Sequence, residues 1–175
     1  GPQLVTDMKA QVERFGAEIK QEVVTEINKE SVFTITTQSG KYTAKTVIVA
    51  TGASAMYLGL PSEEKLKGKG VSACATCDGF FFRGKVVTVI GGGDTAMEEA
   101  TFLTKFAPKV TVIHRRDEFR ASAIMLDRAK KDERITFLTN KIVEEILGET
   151  EVTGVRLKDA KTGEMIDYPT QGVFL

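Results

Sequence analysis

The feature that most constrains the fold is a short apolar run that ends in three consecutive glycines. Val86–Ile90 is rich in β-branched residues, and Gly91, Gly92 and Gly93 follow it directly. A helical pattern comes next, with Glu98 and Glu99 on its exposed side, and it leads into a second apolar run at Lys109–Ile113. Strand, glycine turn, helix and strand in this order predict a βαβ unit with parallel strands. The sequence therefore predicts an α/β fold.

Further helices and strands are predicted on both sides of this unit. After it, the patterns predict a helix and four strands, at Ser122–Lys131, Ile135–Leu138, Lys141–Leu147, Gly154–Lys158 and Met165–Tyr168. Before it, they predict a helix and three strands, at Leu4–Ile19, Val23–Ile27, Val32–Thr37 and Tyr42–Ala50, with the end of the last strand buried. Between the two groups, residues 51–70 contain several glycines and charges, which is typical of a linker between domains.

The glycine turn fits a pattern used to bind the pyrophosphate of a dinucleotide. The six residues from Gly91 to Ala96 match G-x-G-x-x-[GA] between a strand and a helix. Gly91 allows the tight turn, Gly93 lets a pyrophosphate approach the backbone, and Ala96 lets the helix pack on the strand. Gly92, Asp94 and Thr95 complete this candidate cofactor site. The alternative is a glycine turn that only packs a helix against a sheet.

Basic residues after the second strand indicate which dinucleotide is bound. An acidic side chain at this point would favour NAD, but the sequence has His114, Arg115 and Arg116, with Arg120 one helical turn beyond. Guanidinium groups present paired donors that suit a 2′-phosphate. We therefore predict NADPH as the cofactor and assign His114 to packing against it. The alternative for the arginines is a solvated basic turn.

The two cysteines, Cys74 and Cys77, are separated by two residues. A zinc site would need two further ligands, and the chain has no other cysteine and a single histidine, so no metal is expected. A redox disulfide explains the spacing, because two thiols one helical turn apart can close a small ring. Two inert buried thiols are the alternative. Asp78 is either an acid that protonates a reaction partner or an ordinary helix cap.

Composition narrows the classes of function. The 24 basic and 24 acidic side chains cancel, which argues against a protein held to nucleic acid by a general basic field. No apolar run reaches the roughly 18 residues that a membrane span needs. Two cysteines in 175 residues do not make a secreted disulfide scaffold, so the predicted location is cytoplasmic.

Several stretches resemble the low-molecular-weight thioredoxin reductases, in the same order and at the same spacing. Three of them carry the predicted chemistry: Cys74–Phe81, Gly91–Ala100 and His114–Ala121. Two more are similar to the point where that family's chain crosses from its flavin domain to its NADPH domain, at Ala50–Ser54 and Tyr57–Pro61. The resemblance implies a Rossmann-like NADPH-binding domain with three layers and a mostly parallel sheet plus antiparallel strands, attached to part of a flavin domain.

The resemblance also implies an enzyme, an NADPH-dependent flavoprotein that reduces thioredoxin. In that family NADPH reduces a bound FAD, the flavin reduces the disulfide, and the dithiol reduces thioredoxin. By resemblance, Cys77 faces the flavin, Cys74 attacks the thioredoxin disulfide, and Asp78 is the acid. The family is usually a homodimer.

The remaining site residues follow from the same resemblance. Arg115, Arg116 and Arg120 correspond to the clamp for the 2′-phosphate. The segment of Ala50, Thr51 and Gly52 falls where the family's backbone approaches FAD.

The predicted domains are residues 1–55, part of an FAD-binding domain, and residues 56–170, the NADPH-binding domain with the cysteine pair. Residues 171–175 are predicted to begin the return to the flavin domain. The family's glycine-rich FAD fingerprint and its closing flavin segment are not in this sequence, so we expect an excised piece with an incomplete FAD site. Two alternatives stay open: a flavoprotein that reduces a peroxiredoxin, and a module that binds NADP(H) without turnover.

Overall fold

The computed structural model describes residues 2–52 and 54–175, and these two ranges form two compact units. The first unit consists of one helix and one antiparallel sheet. Helix α1 (Pro2–Arg14) precedes strands β1 (Val24–Lys29), β2 (Phe33–Thr37) and β3 (Lys41–Ala44), which pair in the order β1-β2-β3. None of the residues described in this unit is fully buried.

Helix α1 confirms the predicted helix but ends at Arg14 instead of Ile19. Gly16 has a φ of +83°, and its N–H donates to the carbonyl oxygen of Glu13 (2.9 Å). Glycine adopts this left-handed conformation without a steric penalty and commonly ends helices in this way. The apolar spacing continues past Gly16, which is why the pattern alone overestimates the length.

The strand predicted over residues 42–50 is wrong in its second half. Strand β3 ends at Ala44, and Ile48 and Val49 are 92% and 70% exposed. A buried strand needs neighbours that accept and donate its ladder hydrogen bonds. Within the described residues, β3 pairs only with β2, and no strand lies alongside residues 45–50.

The second unit contains the predicted βαβ unit. In chain order its elements are α2 (Pro61–Leu66), β4 (Val71–Ser72), α3 (Ala75–Asp78), a 3-10 turn (Gly79–Phe82), β5 (Val87–Ile90), α4 (Asp94–Leu103), β6 (Val110–Ile113), α5 (Ala123–Lys130), β7 (Ile135–Leu138), β8 (Lys141–Leu147), β9 (Gly154–Asp159), β10 (Met165–Pro169) and β11 (Val173–Phe174). The predicted strands at β7 and β8 are confirmed to the residue. The predicted linker, residues 51–70, contains the short helix α2.

The strands of the second unit form two sheets. The five-stranded sheet is parallel and has the order β4-β11-β5-β6-β7. The other sheet is antiparallel, with the order β10-β9-β8. The last five residues lie in this unit, where Val173 and Phe174 form the strand between β4 and β5.

Alternation along the parallel strands produces three layers, as predicted. Val87 and Val89 of β5 belong to an apolar cluster with Met97 and Leu103 of α4. On the opposite face, Ile113 of β6 belongs to a second cluster with residues of the antiparallel sheet and α2. Successive strand side chains point to opposite faces, so the parallel sheet is covered on both sides. No helix in the described ranges is long and apolar enough to cross a membrane.

Candidate active site

Three candidate segments follow strands of the same parallel sheet, in which β11 lies between the first strand and the other two. The disulfide segment (Cys74–Phe82) follows β4, the glycine turn (Gly91–Ala96) follows β5, and the arginine loop (His114–Ser122) follows β6. The carboxyl ends of parallel strands share one edge of a sheet, where ligands of open α/β folds usually bind. The fold therefore brings the three segments to one edge.

The glycine turn has the geometry of a phosphate cradle. Gly91 has a φ of +153°, and a Cβ on it would lie 3.0 Å from the Cβ of Ala96, so both the backbone and the close approach of α4 require glycine. Gly93 is the N-cap of α4, and a Cβ there would meet nothing within 4 Å among the described residues. The space at Gly93 and the positive end of α4 suit an anion such as a pyrophosphate.

Asp94 and Thr95 begin helix α4 and are exposed, whereas Ala96 is buried against the sheet. The carboxylate of Asp94 accepts a hydrogen bond from the backbone N–H of Ser122 (2.7 Å). Ser122 is the N-cap of α5, so this contact ties the end of the arginine loop to the glycine turn.

The arginine loop presents three charged side chains to solvent. Arg115, Arg116 and Arg120 are exposed, and none of them forms a salt bridge within residues 2–52 and 54–175. Guanidinium groups without carboxylate partners are available to a phosphate. The residues present therefore fit the 2′-phosphate of NADPH.

Asp117, the acidic residue directly after Arg116, forms its hydrogen bonds with residues other than the three arginines. Asp117 accepts hydrogen bonds from the side-chain amide of Asn140 and from Nζ of Lys161 (3.0 Å). These two contacts lower the pKa of Asp117, the Asn140 bond more than the Lys161 bond. Asn140 and Lys161 are distant in sequence, and no sequence pattern indicated them.

His114 is buried at the root of the arginine loop. Its ring stacks on Phe119 with centroids 5.1 Å apart, and its Nε2 lies 3.0 Å from the carbonyl oxygen of Glu118. Burial lowers the pKa of His114; the contact with Glu118 opposes this shift, and the nearby arginines add to it. The ring therefore packs as a neutral group below the exposed arginines.

Cys74 and Cys77 are joined by a disulfide in this structure. Cys74 is the N-cap of α3, and the backbone N–H of Cys77 donates to its Sγ (3.2 Å). Cys77 is exposed and Cys74 is half-buried. The bond lies where a solvent-borne disulfide or thiol can reach it.

Asp78 does not cap a helix with its side chain. Its Oδ2 instead accepts a hydrogen bond from the Ser72 hydroxyl (2.6 Å), and the same hydroxyl oxygen accepts from the backbone N–H of Cys74 (3.1 Å). Ser72 therefore links the carboxylate of Asp78 to the start of the disulfide segment. Sequence reasoning missed Ser72.

Glu99 was predicted to be exposed, and this prediction is wrong. The side chain is half-buried, and its Oε1 accepts a hydrogen bond from the backbone N–H of Ala75 (3.1 Å). Burial raises the pKa of Glu99, and the N–H of Ala75 opposes the shift. Glu99 thus connects helix α4 to the residue that follows Cys74.

Two aromatic side chains follow the disulfide and are open to solvent. Phe80 and Phe81 are 62% and 70% exposed, and their rings meet edge to face. An exposed apolar patch beside a reactive bond often marks a contact surface for another molecule.

The residues assigned to the flavin belong to the first unit. Ala50, Thr51 and Gly52 are exposed and lie outside helices and strands, and Gly52 has a φ of +71°. They offer one short backbone segment, which by itself does not make a flavin site.

Comparison with known proteins shows which family the chain belongs to. The sequence profile described as "Pyridine nucleotide-disulphide oxidoreductase" matches residues 3–175. A thioredoxin reductase of Mycolicibacterium smegmatis is 54% identical over 176 residues, which cover 100% of this chain and 57% of the relative. A bifunctional thioredoxin reductase/thioredoxin of Mycobacterium leprae is 52% identical, covering 100% of this chain and 39% of the relative.

Solved structures give the same result. Thioredoxin reductase from Giardia duodenalis has a TM-score of 0.84 at 38% identity, covering 99% of this chain and 57% of that chain. The enzyme from Streptococcus pyogenes has a TM-score of 0.75 at 44% identity, with the same coverage. The chain thus spans a little over half the length of these two enzymes and of the Mycolicibacterium smegmatis relative, and they confirm its resemblance to thioredoxin reductases. The match over nearly the whole chain shows that it belongs to the pyridine nucleotide-disulphide oxidoreductase family.

Proposed function

We propose that this chain carries the NADPH-binding and disulfide-bearing part of an enzyme that reduces thioredoxin. The observation that carries the proposal is the shared sheet edge: a phosphate cradle, three exposed guanidinium groups and the Cys74–Cys77 disulfide all follow strands of one parallel sheet. The names of the relatives support thioredoxin as the substrate.

The residues that would hold NADPH are those of the glycine turn and the arginine loop. The backbone at Gly91 and Gly93 receives the pyrophosphate, and Arg115, Arg116 and Arg120 bind the 2′-phosphate. When bound, NADPH would supply a hydride and FAD would carry its two electrons toward the disulfide, as the resemblance implies. For FAD itself, Ala50–Gly52 are the assigned contacts, and this segment is too short to form a flavin site alone.

The chemistry of this chain's own residues is thiol–disulfide exchange. In the dithiol form, the Cys74 thiolate attacks one sulfur of the thioredoxin disulfide, and the other thioredoxin sulfur leaves with the electron pair of the broken bond. The Cys77 thiolate then attacks Cys74, which closes the Cys74–Cys77 disulfide and releases the second thioredoxin thiolate. We assign to Asp78, whose carboxylate accepts a hydrogen bond from Ser72, the role of the acid that supplies a proton to a reaction partner.

The exposed Phe80 and Phe81 support a protein substrate, because they extend the accessible surface beside the disulfide. The relative from Mycobacterium leprae, named as a reductase/thioredoxin fusion, also supports this partner. A homodimer and a cytoplasmic location belong to the same proposal; they rest on the resemblance and on the small number of cysteines.

Single-turnover exchange tests the proposal without a flavin. The chain is reduced with dithiothreitol, freed of reductant, and mixed anaerobically with oxidised thioredoxin. We expect two thiols to appear on thioredoxin for each disulfide that closes on the chain. Transfer should continue until equilibrium is reached between the two disulfides, whose reduction potentials we expect near roughly −270 mV. Absence of transfer, while both cysteines react freely with a thiol reagent, would contradict the proposal.

The same assay separates the alternative functions. A flavoprotein that serves peroxiredoxins would transfer electrons to the disulfide of an oxidised peroxiredoxin in preference to thioredoxin. A module that only binds NADP(H) would reduce neither protein. The short segment at Ala50–Gly52 is the observation that favours this last candidate.

Titration with the two nicotinamide nucleotides tests the cofactor. Because the exposed Arg115, Arg116 and Arg120 are assigned to the 2′-phosphate, the chain should bind NADPH more tightly than NADH. Equal affinities would remove the arginine loop from the proposal.

A further inference from the structure

Gly92 is the middle glycine of the turn, and the reason why this position is glycine differs from the reasons at Gly91 and Gly93. A Cβ on Gly92 would lie 2.4, 2.5 and 2.7 Å from Cε1, Nδ1 and Nε2 of the His114 ring. These distances are shorter than any ordinary carbon contact. The backbone of Gly92 has no left-handed φ, so the ring of His114 is what excludes a side chain.

The His114 ring has little freedom to move away. It is 6% exposed, it stacks on Phe119, and Nε2 is fixed against the carbonyl oxygen of Glu118. The backbone at His114 is also held, because its N–H donates to Leu138 (2.8 Å) and its carbonyl oxygen accepts from Lys141 (3.0 Å). A side chain at residue 92 would therefore displace the arginine loop before it displaced the strand.

The peptide of Gly92 holds the other end of the same loop. Its carbonyl oxygen accepts hydrogen bonds from the backbone N–H groups of Arg120 (2.7 Å) and Ala121 (3.0 Å). Arg115 and Arg116 follow His114 directly, and Arg120 follows Phe119. Gly92 therefore contacts the arginine loop at both ends of the stretch that contains the three arginines. The His114 ring lies against it at one end, and the Gly92 carbonyl oxygen binds the backbone at Arg120 at the other.

We propose that Gly92 and His114 act together as positioning residues that set NADPH selectivity: the ring seated on Gly92 holds the three arginines at the 2′-phosphate. This inference rests on the proposed NADPH site. Gly92 and Gly93 then have different roles. Gly93 faces open space for the pyrophosphate, which NADPH and NADH share. Gly92 positions the arginines for the 2′-phosphate, which only NADPH has.

The test compares Gly92→Ala with Gly93→Ala in the 175-residue chain. Calorimetric titration gives the dissociation constants for NADPH and NADH, and their ratio is the selectivity. In Gly92→Ala we expect NADPH affinity to fall about tenfold or more, the loss of one charge-assisted hydrogen bond, with NADH changed less than about twofold. In Gly93→Ala the new methyl group crowds the shared pyrophosphate, so both affinities fall and the ratio stays.

A double-mutant cycle keeps the test valid if Gly92→Ala folds poorly. His114→Ala removes the ring and should lower the selectivity by itself. Adding Gly92→Ala to His114→Ala should then lower it no further, because the two substitutions break the same contact. Circular dichroism and thermal unfolding identify variants that are misfolded.

The outcomes separate this inference from the proposed function. If the unchanged chain binds NADPH and NADH equally, the proposed NADPH site fails and the inference fails with it. If the unchanged chain prefers NADPH and either folded Gly92→Ala or His114→Ala keeps that preference, only the inference is overturned.

Discussion

The two chemically important regions of the second unit are held in different ways. The glycine turn and the arginine loop are joined by contacts between distant residues: Ser122 and Asp94 are 28 positions apart, and Gly92 accepts two hydrogen bonds from the loop. The hydrogen bonds of the disulfide segment come mainly from near neighbours, since Ser72 and Asp78 are six apart and Cys74 and Cys77 three apart. Glu99 of α4 accepts one hydrogen bond from the segment, and Ala75 and Phe82 anchor the segment in the apolar core.

This difference matches what each region has to do. A phosphate clamp discriminates by geometry that is fixed before the ligand arrives. A disulfide that opens and closes must be compatible with two covalent states, so cysteines whose hydrogen bonds are local and that solvent can reach suit it. We therefore expect substitutions in one region to leave the chemistry of the other nearly unchanged.

The largest expected effect is on exchange in the two cysteine variants. Cys74→Ser should abolish electron transfer to oxidised thioredoxin, because it removes the attacking thiolate. Cys77→Ser should instead trap a mixed disulfide, visible on a non-reducing gel, since no resolving thiol remains. Both variants should bind NADPH within about twofold of the unchanged chain. The reverse result, trapping by Cys74→Ser, would exchange the roles of the two cysteines.

Arg116→Ala addresses the other side of the comparison. Loss of a charged hydrogen bond to the 2′-phosphate costs about 1.5–3 kcal/mol, or about 10- to 150-fold in NADPH affinity. NADH affinity and thiol–disulfide exchange should not change. The exposed Arg128, in the last turn of α5, is the matched control and should have no effect when replaced by alanine. An unchanged NADPH affinity in Arg116→Ala would remove this residue from the clamp.

Phe81→Ala should separate docking from stability. An exposed side chain contributes less than about 0.5 kcal/mol to the free energy of unfolding, so chemical denaturation should change little. If the aromatic pair contacts thioredoxin, the second-order exchange rate should fall by about five- to tenfold, as at an interface hot spot. Phe15→Ala, which removes an aromatic residue that is 76% exposed in the first unit, is the control. Equal rates for both variants would argue against docking at Phe81.

Glu99→Gln gives the smallest effect and tests the hydrogen bond between the disulfide segment and α4. The amide hydrogen of Ala75 should exchange with solvent several-fold faster, because its hydrogen bond to a neutral acceptor is weaker by about 1 kcal/mol than its bond to a carboxylate. Glu98→Gln, the exposed neighbour, should leave this exchange rate unchanged. A slow Ala75 amide in Glu99→Gln would show that the contact does not hold the segment.

The raised pKa of Glu99 also predicts a pH dependence with a definite sign. The folded chain binds a proton at Glu99 more tightly than the unfolded chain, so this group stabilises the fold fully below its unfolded pKa of 4.5 and loses the effect as pH rises through the folded value. Relative to Glu99→Gln, the unchanged chain should be more stable at pH 4 than at pH 7. The difference should be less than about 1 kcal/mol because the side chain is half-exposed. The prediction would be wrong if urea denaturation showed the unchanged chain, relative to Glu99→Gln, to be more stable at pH 7 than at pH 4.

Local patterns predicted most of this arrangement. Val87–Ile90, the glycines and the helix after them could be identified because strand, turn and helix each leave a pattern within a few residues. The parallel direction of the strands on either side of that helix was predicted from the same order of elements. The same local reasoning failed at Tyr42–Ala50, since the pairing of a strand depends on its neighbours.

The contacts that refine the site had no local signal. Glu99 looked like an exposed helix position, yet it reaches Ala75, 24 residues away. The partners of Asp117 come from the ends of β7 and β9, and the ring above Gly92 comes from the next strand. Such contacts become visible only after tertiary packing is known. The roles assigned to the site residues and the domain boundaries remain predictions.

Strand β11 has a consequence for the order of assembly. It lies between β4 and β5, so the strand that leads into the disulfide joins the sheet only through the final residues of this chain. During synthesis, β5, β6 and β7 can pair soon after they leave the ribosome, whereas β4 must wait for nearly the whole unit to be made. The cysteines are therefore translated early in this unit, but the strand directly before them is among the last to pair with its neighbour.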